Sequence, residues 1–196
     1  MESHRQLSEY QFILASGSPR RKELLAYLGQ PFVIIKPEME EVSAETDPAL
    51  YTLDLSKQKL NWVKKNAPHF EKPLFIIAAD TIVAHNNKIF EKPRSISEAR
   101  AMLLELMGTT HQVYTGVSVM VDSKISQFYQ VTEVSMNRAS ESLLESYLES
   151  KESLDKSGAY GIQGKALSFI SSVNGCYSNV VGFPLAEFVK RLPTFC

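Results

Sequence analysis

The sequence predicts an α/β protein whose strands join in a mixed sheet, and three observations carry that prediction. A short apolar run, QFILA (11–15), passes through small residues directly into a helical pattern, which marks a strand, loop, helix unit. A continuous apolar run, LFIIAAD (74–80), has the composition of a strand buried on both faces. Two longer segments, VYTGVSVMV and ISQFYQVTEVSM, alternate in β fashion on either side of Asp122 and Ser123.

In chain order, the strand at 11–15 ends in Ser16, Gly17 and Ser18. Ser18 suits an N-cap with Pro19 at the first helical position; Leu24, Leu25 and Leu28 mark the helix face and Gly29 its stop. PFVIIKP (31–37) reads as a second strand, followed by an acidic loop carrying Glu38, Glu40 and Glu41. Asp47 and Pro48 open a helix with Leu50, Leu53, Leu60 and Val63 at helical spacing, ending near Pro68. The run 74–80 is expected to finish on Asp80, at the C-terminal end of its strand, and TIVAHNNKIF to form a hairpin turning at Asn86 and Asn87. Ser97 to Met107 reads as a helix closed by Gly108, and Ser140 to Leu148 as another. SFISSV is expected to be a strand, and FPLAEFVKRL a closing helix with Pro184 near its start.

The 196 residues fit one domain over 11–196, with residues 1–10 as an N-terminal extension. A 44% hydrophobic and 22% charged composition belongs to a globular chain. With 21 basic and 22 acidic residues the net charge is -1, so no global field recruits nucleic acid or an anionic membrane, and any phosphate site must be local. Cys176 and Cys196 are too few for a disulfide framework. No stretch approaches the ~20 apolar residues of a membrane span, so a soluble, cytoplasmic protein is expected.

The strongest chemical signal is SGSPRRKELL (16–25). Small residues let backbone N–H groups approach an anion, the helix aims its positive dipole end there, and Arg20 and Arg21 add bidentate charge. The same residues also suit an ordinary capped helix with two solvated arginines. Asp80, followed by Thr81, is a carboxylate that could bind a hard metal or activate water, and it equally suits a turn cap. Glu40 and Glu41 offer a further carboxylate or a solvated loop, and Lys59 and Lys92 offer cations or solvated lysines. In DKSGAYGIQG (155–164), glycines around the amide of Gln163 permit close approach of backbone to a flat ligand, or simply make a turn. Neither SGSPRRKELL nor GIQGK supplies G-x-x-x-x-G-K-S/T, because Ala166 stands at the hydroxyl position; the absence of a G-x-S-x-G elbow and of clustered histidines disfavours serine-hydrolase and zinc chemistry.

Taken together, SGSPRR, AADT, EKP, YTGV, DKSGAYGIQG and NVVGFPL, in this order over residues 12–192, resemble the Maf family of nucleotide pyrophosphatases. The resemblance implies an elongated, twisted mixed sheet flanked by helices, with a deep central groove between two lobes, as in the related inosine triphosphate pyrophosphatases. It implies that Ser16, Arg20 and Arg21 hold a triphosphate, that Asp80 is the general base, that Glu41 joins Asp80 on a metal, and that Lys59 and Lys92 contact phosphate. The implied cofactor is a divalent cation, Mg²⁺ or Mn²⁺, and the implied reaction releases pyrophosphate and a nucleoside monophosphate. Arg20, Thr81 and Gln163 match the subtype acting on dTTP and UTP rather than the one acting on 7-methylguanosine triphosphate. A nucleotide-binding regulator of cell division without turnover is the reading from another class. The implied partner is the nucleoside triphosphate, with a homodimer allowed and with neither nucleic acid nor membrane.

Overall fold

The computed structural model describes residues 6–195; residues 1–5 of the N-terminal extension and Cys196 lie outside the described residues. β1 (Gln11–Ala15) is buried over its last four residues, as its apolar composition demands. α1 (Pro19–Ala26) begins where Ser18 accepts a hydrogen bond from the Arg21 N–H, with Pro19 supplying a preset φ at its first turn. β2 (Phe32–Ile34) lies parallel to β1 but is only three residues long, against the expected 31–37. Pro31 and Pro37 bracket the segment, and neither can donate to a ladder.

α2 (Pro48–Asn66) is capped by Asp47, whose carboxylate accepts from the Ala49 and Leu50 N–H groups at 2.9 Å each. Its buried residues, among them Leu55, Leu60 and Val63, pack on the sheet. β3 (Leu74–His85) corrects the expectation that the strand stops at Asp80: it runs twelve residues and Asp80 lies in its middle. Alternation continues past the carboxylate, with Ile82 and Ala84 buried against α2, and β5 pairs with β3 from Phe75 to Ala84. A charge normally ends a buried strand, but here Lys59 of α2 meets it.

β4 (Lys88–Phe90) completes the expected hairpin, with Asn86 and Asn87 at φ 49° and 61°, the left-handed pair that a two-residue turn requires. α3 (Ile96–Leu106) starts on Ser95, which accepts from the Glu98 N–H at 3.1 Å. β5 (Thr110–Val121) and β6 (Lys124–Met136) form the long antiparallel hairpin across Asp122 and Ser123. After α4 (Glu141–Glu149) come short helical turns and then β7 (Ile170–Asn174); Ser168 and Phe169, expected in that strand, belong to the preceding turn. α5 (Tyr177–Val181) has no counterpart in the sequence expectation, being too short for a periodic signal, and α6 (Leu185–Arg191) closes the chain with Pro184 just before it.

The seven strands form one mixed sheet in the order β2-β1-β3-β5-β6-β7, with β4 beside β3. Among the described residues only β1–β2 and β1–β3 are parallel. β1 and β4 share one edge of β3: β1 pairs with Leu74–Ala78 and β4 with Val83–His85, so Ala79–Ile82 carry no strand on that edge. This break in the sheet, at the C-terminal end of β1, places the site. The period of two puts Asp80 on the α2 face with Ile76, Ala78 and Ile82, and Thr81 on the opposite face with Ile77 and Ala79.

Gly116 of β5, within YTGV, explains how α2 comes so close. A Cβ there would stand 2.5 Å from the backbone carbon of Thr52. Gly116→Ala must therefore push α2 outward. Overpacking of this kind costs about 1–3 kcal/mol, so a lowered Tm is expected together with loss of turnover as Lys59 withdraws; unchanged stability by thermal melting would refute the contact as a constraint.

Candidate active site

A cavity of about 680 Å³ opens at the gap between β1 and β4 along the edge of β3. Ser16, Arg20, Arg21, Glu41, Lys59, Thr81, Lys92 and Gln163 all line it, so the structure brings eight of the nine site residues expected from sequence onto one wall system. The ninth, Asp80, lies just beneath, 6% exposed, and is reached through Lys59. Glu40 is not on the wall, which separates it from Glu41.

The loop between β1 and α1 forms one side. Ser16 is buried, and its hydroxyl accepts from the Ser18 N–H at 3.2 Å and from Arg21 at 3.4 Å. Arg21 also donates from Nε to the Gly182 carbonyl at 2.8 Å and from Nη2 to the Thr81 hydroxyl at 3.0 Å. Burial lowers its guanidinium from the ordinary value, against the charges of Asp80 and Glu41, which raise it. These bonds hold the fork rigidly between the loop, β3 and the VVGF turn. Arg20 reaches across the cavity to Asp155, Nη1 to Oδ2 3.3 Å. Neither Asp155 nor Lys156 is a candidate by sequence, yet both line the cavity, as does Lys36. Burial works to raise the Asp155 carboxyl, but Lys156 at 2.6 Å and Arg20 hold it below the usual range. Within DKSG the acid and base stand side by side, and that adjacency is the signal that could have marked them.

On the other face, the ammonium of Lys59 sits 2.5 Å from Asp80 Oδ1 and 2.8 Å from Glu41 Oε2. Burial works to raise Glu41, but Lys59, then Lys92 and Arg21, hold its carboxyl below the ordinary value. Six cations line the cavity (Arg20, Arg21, Lys36, Lys59, Lys92 and Lys156) against four carboxylates, a local excess suited to a polyanion in a protein of net charge -1. Among the described residues no group of three His, Cys, Asp or Glu gathers into a metal site. The point between Asp80 and Glu41 is taken by the Lys59 ammonium, and the fit to a hard cation is one of donor type: Mg²⁺ takes one or two protein carboxylates and fills its shell with water and phosphate oxygens.

No helix among the described residues is long and apolar enough to cross a membrane. Among known proteins, the family model described as Maf-like protein matches residues 11–195. A protein named dTTP/UTP pyrophosphatase from Bacillus thuringiensis subsp. konkukian is 44% identical over 184 residues, 93% of this chain and 94% of its own. One of the same name from Bacillus cytotoxicus is 44% identical over 185 residues, 94% of this chain and 95% of its own. A solved nucleoside-triphosphatase / dITP/XTP pyrophosphatase from Mycobacterium abscessus aligns with a TM-score of 0.40 at 14% identity, over 66% of this chain and 75% of its own, too distant a likeness to bear on the assignment. With the motifs gathered on one cavity and the match running from β1 to the C-terminal turn, the chain belongs to the Maf family.

Proposed function

We propose that this chain hydrolyses dTTP and UTP to the nucleoside monophosphate and pyrophosphate, in the cytoplasm, with Mg²⁺ or Mn²⁺. The observation that carries the reading is the placement of Lys59 between Asp80 and Glu41 beside a cationic cavity. The names of the 44% identical relatives point to the same substrates.

In this reading Arg20, Arg21 and the Ser16–Ser18 loop bind the triphosphate, with Lys36 and Lys92 also lining the cavity. Arg21 enters the reaction already oriented by Gly182 and Thr81, so little ordering remains to be done when phosphate arrives. Asp80 takes the proton of the attacking water, and Lys59 holds that carboxylate in place while offsetting charge on the phosphoryl oxygens. A divalent cation held by Glu41 and Asp80 would add Lewis-acid polarisation of the phosphoryl oxygens. Gln163, exposed on the cavity wall, offers a donor and an acceptor that match the neighbouring carbonyl and N–H of a uracil or thymine edge, while cytosine inverts part of that pattern.

The test is a nucleotide panel with product identification. dTTP and UTP are expected to turn over fastest, each giving pyrophosphate and monophosphate in equal amounts, and EDTA is expected to stop the reaction. Release of single phosphates, full activity in EDTA, or a preference for 7-methylguanosine triphosphate would each overturn the reading.

A further inference from the structure

His111, at the start of β5, is 1% exposed, and its Nε2 meets the phenolic oxygen of Tyr160 at 2.7 Å. The rings stand edge to face, 5.3 Å apart at 78°. Nδ1 has no partner among the described residues. Burial, then the charge of His85, pulls the imidazole down to about 4, and burial raises the Tyr160 phenol, so both groups are neutral at ordinary pH. Two neutral groups bring two donor hydrogens to a single bond, which leaves one hydrogen without an acceptor in this pair. An apolar pair of the same shape would avoid that cost, so a buried polar group kept on these terms calls for a reason beyond packing.

The position of Tyr160 supplies one. The segment before it is held by neutral contacts to β3, to the residue after β4 and to α4. Ser157 donates to the Thr81 carbonyl at 2.8 Å, the Gly158 N–H to the Glu91 carbonyl at 3.2 Å, and the Tyr147 hydroxyl to the Ala159 carbonyl at 3.1 Å. Gly158, at φ 69°, lies so close to Val83 that a Cβ would stand 2.8 Å from it. Tyr160, itself on the cavity wall, leads directly into the turn closed by the Gly164 N–H on the Gly161 carbonyl at 3.1 Å; that turn carries Gln163 and is held as well by the buried Ile162 and by the Gly161 N–H on the Tyr147 hydroxyl. On its far side the Lys165 N–H donates to Glu152 at 3.0 Å. Tyr160 thus stands three residues from Gln163, at the entry to the turn, where its placement bears on the path of the backbone that presents the amide.

We propose that His111 is a positioning residue for nucleobase selection: through its hydrogen bond to Tyr160 it sets where the Gly161–Gly164 turn holds Gln163, without touching the nucleotide. This rests on the reading of the cavity as a pyrimidine nucleotide site. The test compares wild type, Tyr160→Phe, His111→Phe and the double variant on dTTP, UTP and dCTP, with melting temperatures alongside. Tyr160 lines the cavity and His111 does not, so the inference requires the same loss of preference in His111→Phe, or in His111→Gln should His111→Phe fail to fold. The preference for dTTP over dCTP is expected to fall about 3- to 10-fold in Tyr160→Phe, the range of one hydrogen bond, with the loss carried mainly in KM for dTTP and UTP. The double variant is expected to recover melting temperature relative to either single change but not selectivity. An unchanged dTTP to dCTP ratio in Tyr160→Phe, or equal losses for every base carried in kcat, would overturn the positioning role while leaving the site reading intact. A wild-type protein with no pyrimidine preference would overturn the site reading and this inference with it.

Discussion

Asp80→Asn is expected to fold as the wild type does and to lose about 10² to 10⁴ in kcat/KM for dTTP, roughly 3 to 5 kcal/mol of barrier. The amide has nearly the same shape, and its oxygen can still accept from Lys59, which stands 2.5 Å from Oδ1 in the native protein. Ile82 and Ala84 beyond it on the same face keep their packing against Tyr51 and Leu55 of α2. What disappears is the basic oxygen that, in the proposed reading, would take the proton of water, and the charge that would hold a cation. Circular dichroism and thermal melting check the fold, and steady-state kinetics check the chemistry. A folded variant retaining more than about a tenth of wild-type kcat/KM would remove Asp80 from the role of general base.

Lys59→Met is expected to be costly in a different way, losing both turnover and stability, with the stability loss dependent on pH. The side chain is 8% exposed and its ammonium is the counter-charge shared by Asp80 and Glu41. Methionine fills the stem but leaves two carboxylates facing one point, and breaking a buried pair costs about 3–5 kcal/mol; the Glu41 side chain is 44% exposed, so solvent screens its part and the low end is expected. The sign of the pH effect follows from Glu41. Burial alone would raise its carboxyl, and Lys59 is foremost among the groups that hold it below the ordinary value. In the wild type this contributes stability above the ordinary carboxylate range that is lost as pH falls through the lowered value. Without Lys59 the carboxyl rises, so wild type and variant differ most above the ordinary carboxylate range and converge as pH falls through the lowered Glu41 value. Melting temperatures across that range test it, and a constant gap would show that the loss is packing rather than charge. kcat/KM for dTTP is expected to fall by at least about 10², comparable with the loss of an electrostatic stabiliser elsewhere.

Much of this protein was legible in short stretches of sequence because the physics involved is local. The Ser18 cap with Pro19, the Asp47 cap with Pro48, and the two-residue turns at Asn86–Asn87 and Asp122–Ser123 act over a few residues, and each forms where its residue types allow. The candidate site was legible as a set of names: Ser16, Arg20, Arg21, Glu41, Lys59, Thr81, Lys92 and Gln163 line one cavity, and Asp80 meets it through Lys59. Their relations were not. That Asp80 lies within a strand depends on β5 pairing along the whole of β3 and on a lysine 21 residues away that makes a buried charge tolerable. Glu41 separates from Glu40 through its place on the cavity and the same ammonium, Arg20 finds Asp155 across 135 residues, and His111 finds Tyr160 across 49. A side chain's partner at such separations is chosen by how the sheet and helices pack, because desolvation makes each buried charge or hydrogen-bonding group depend on what the fold brings within about 3 Å of it.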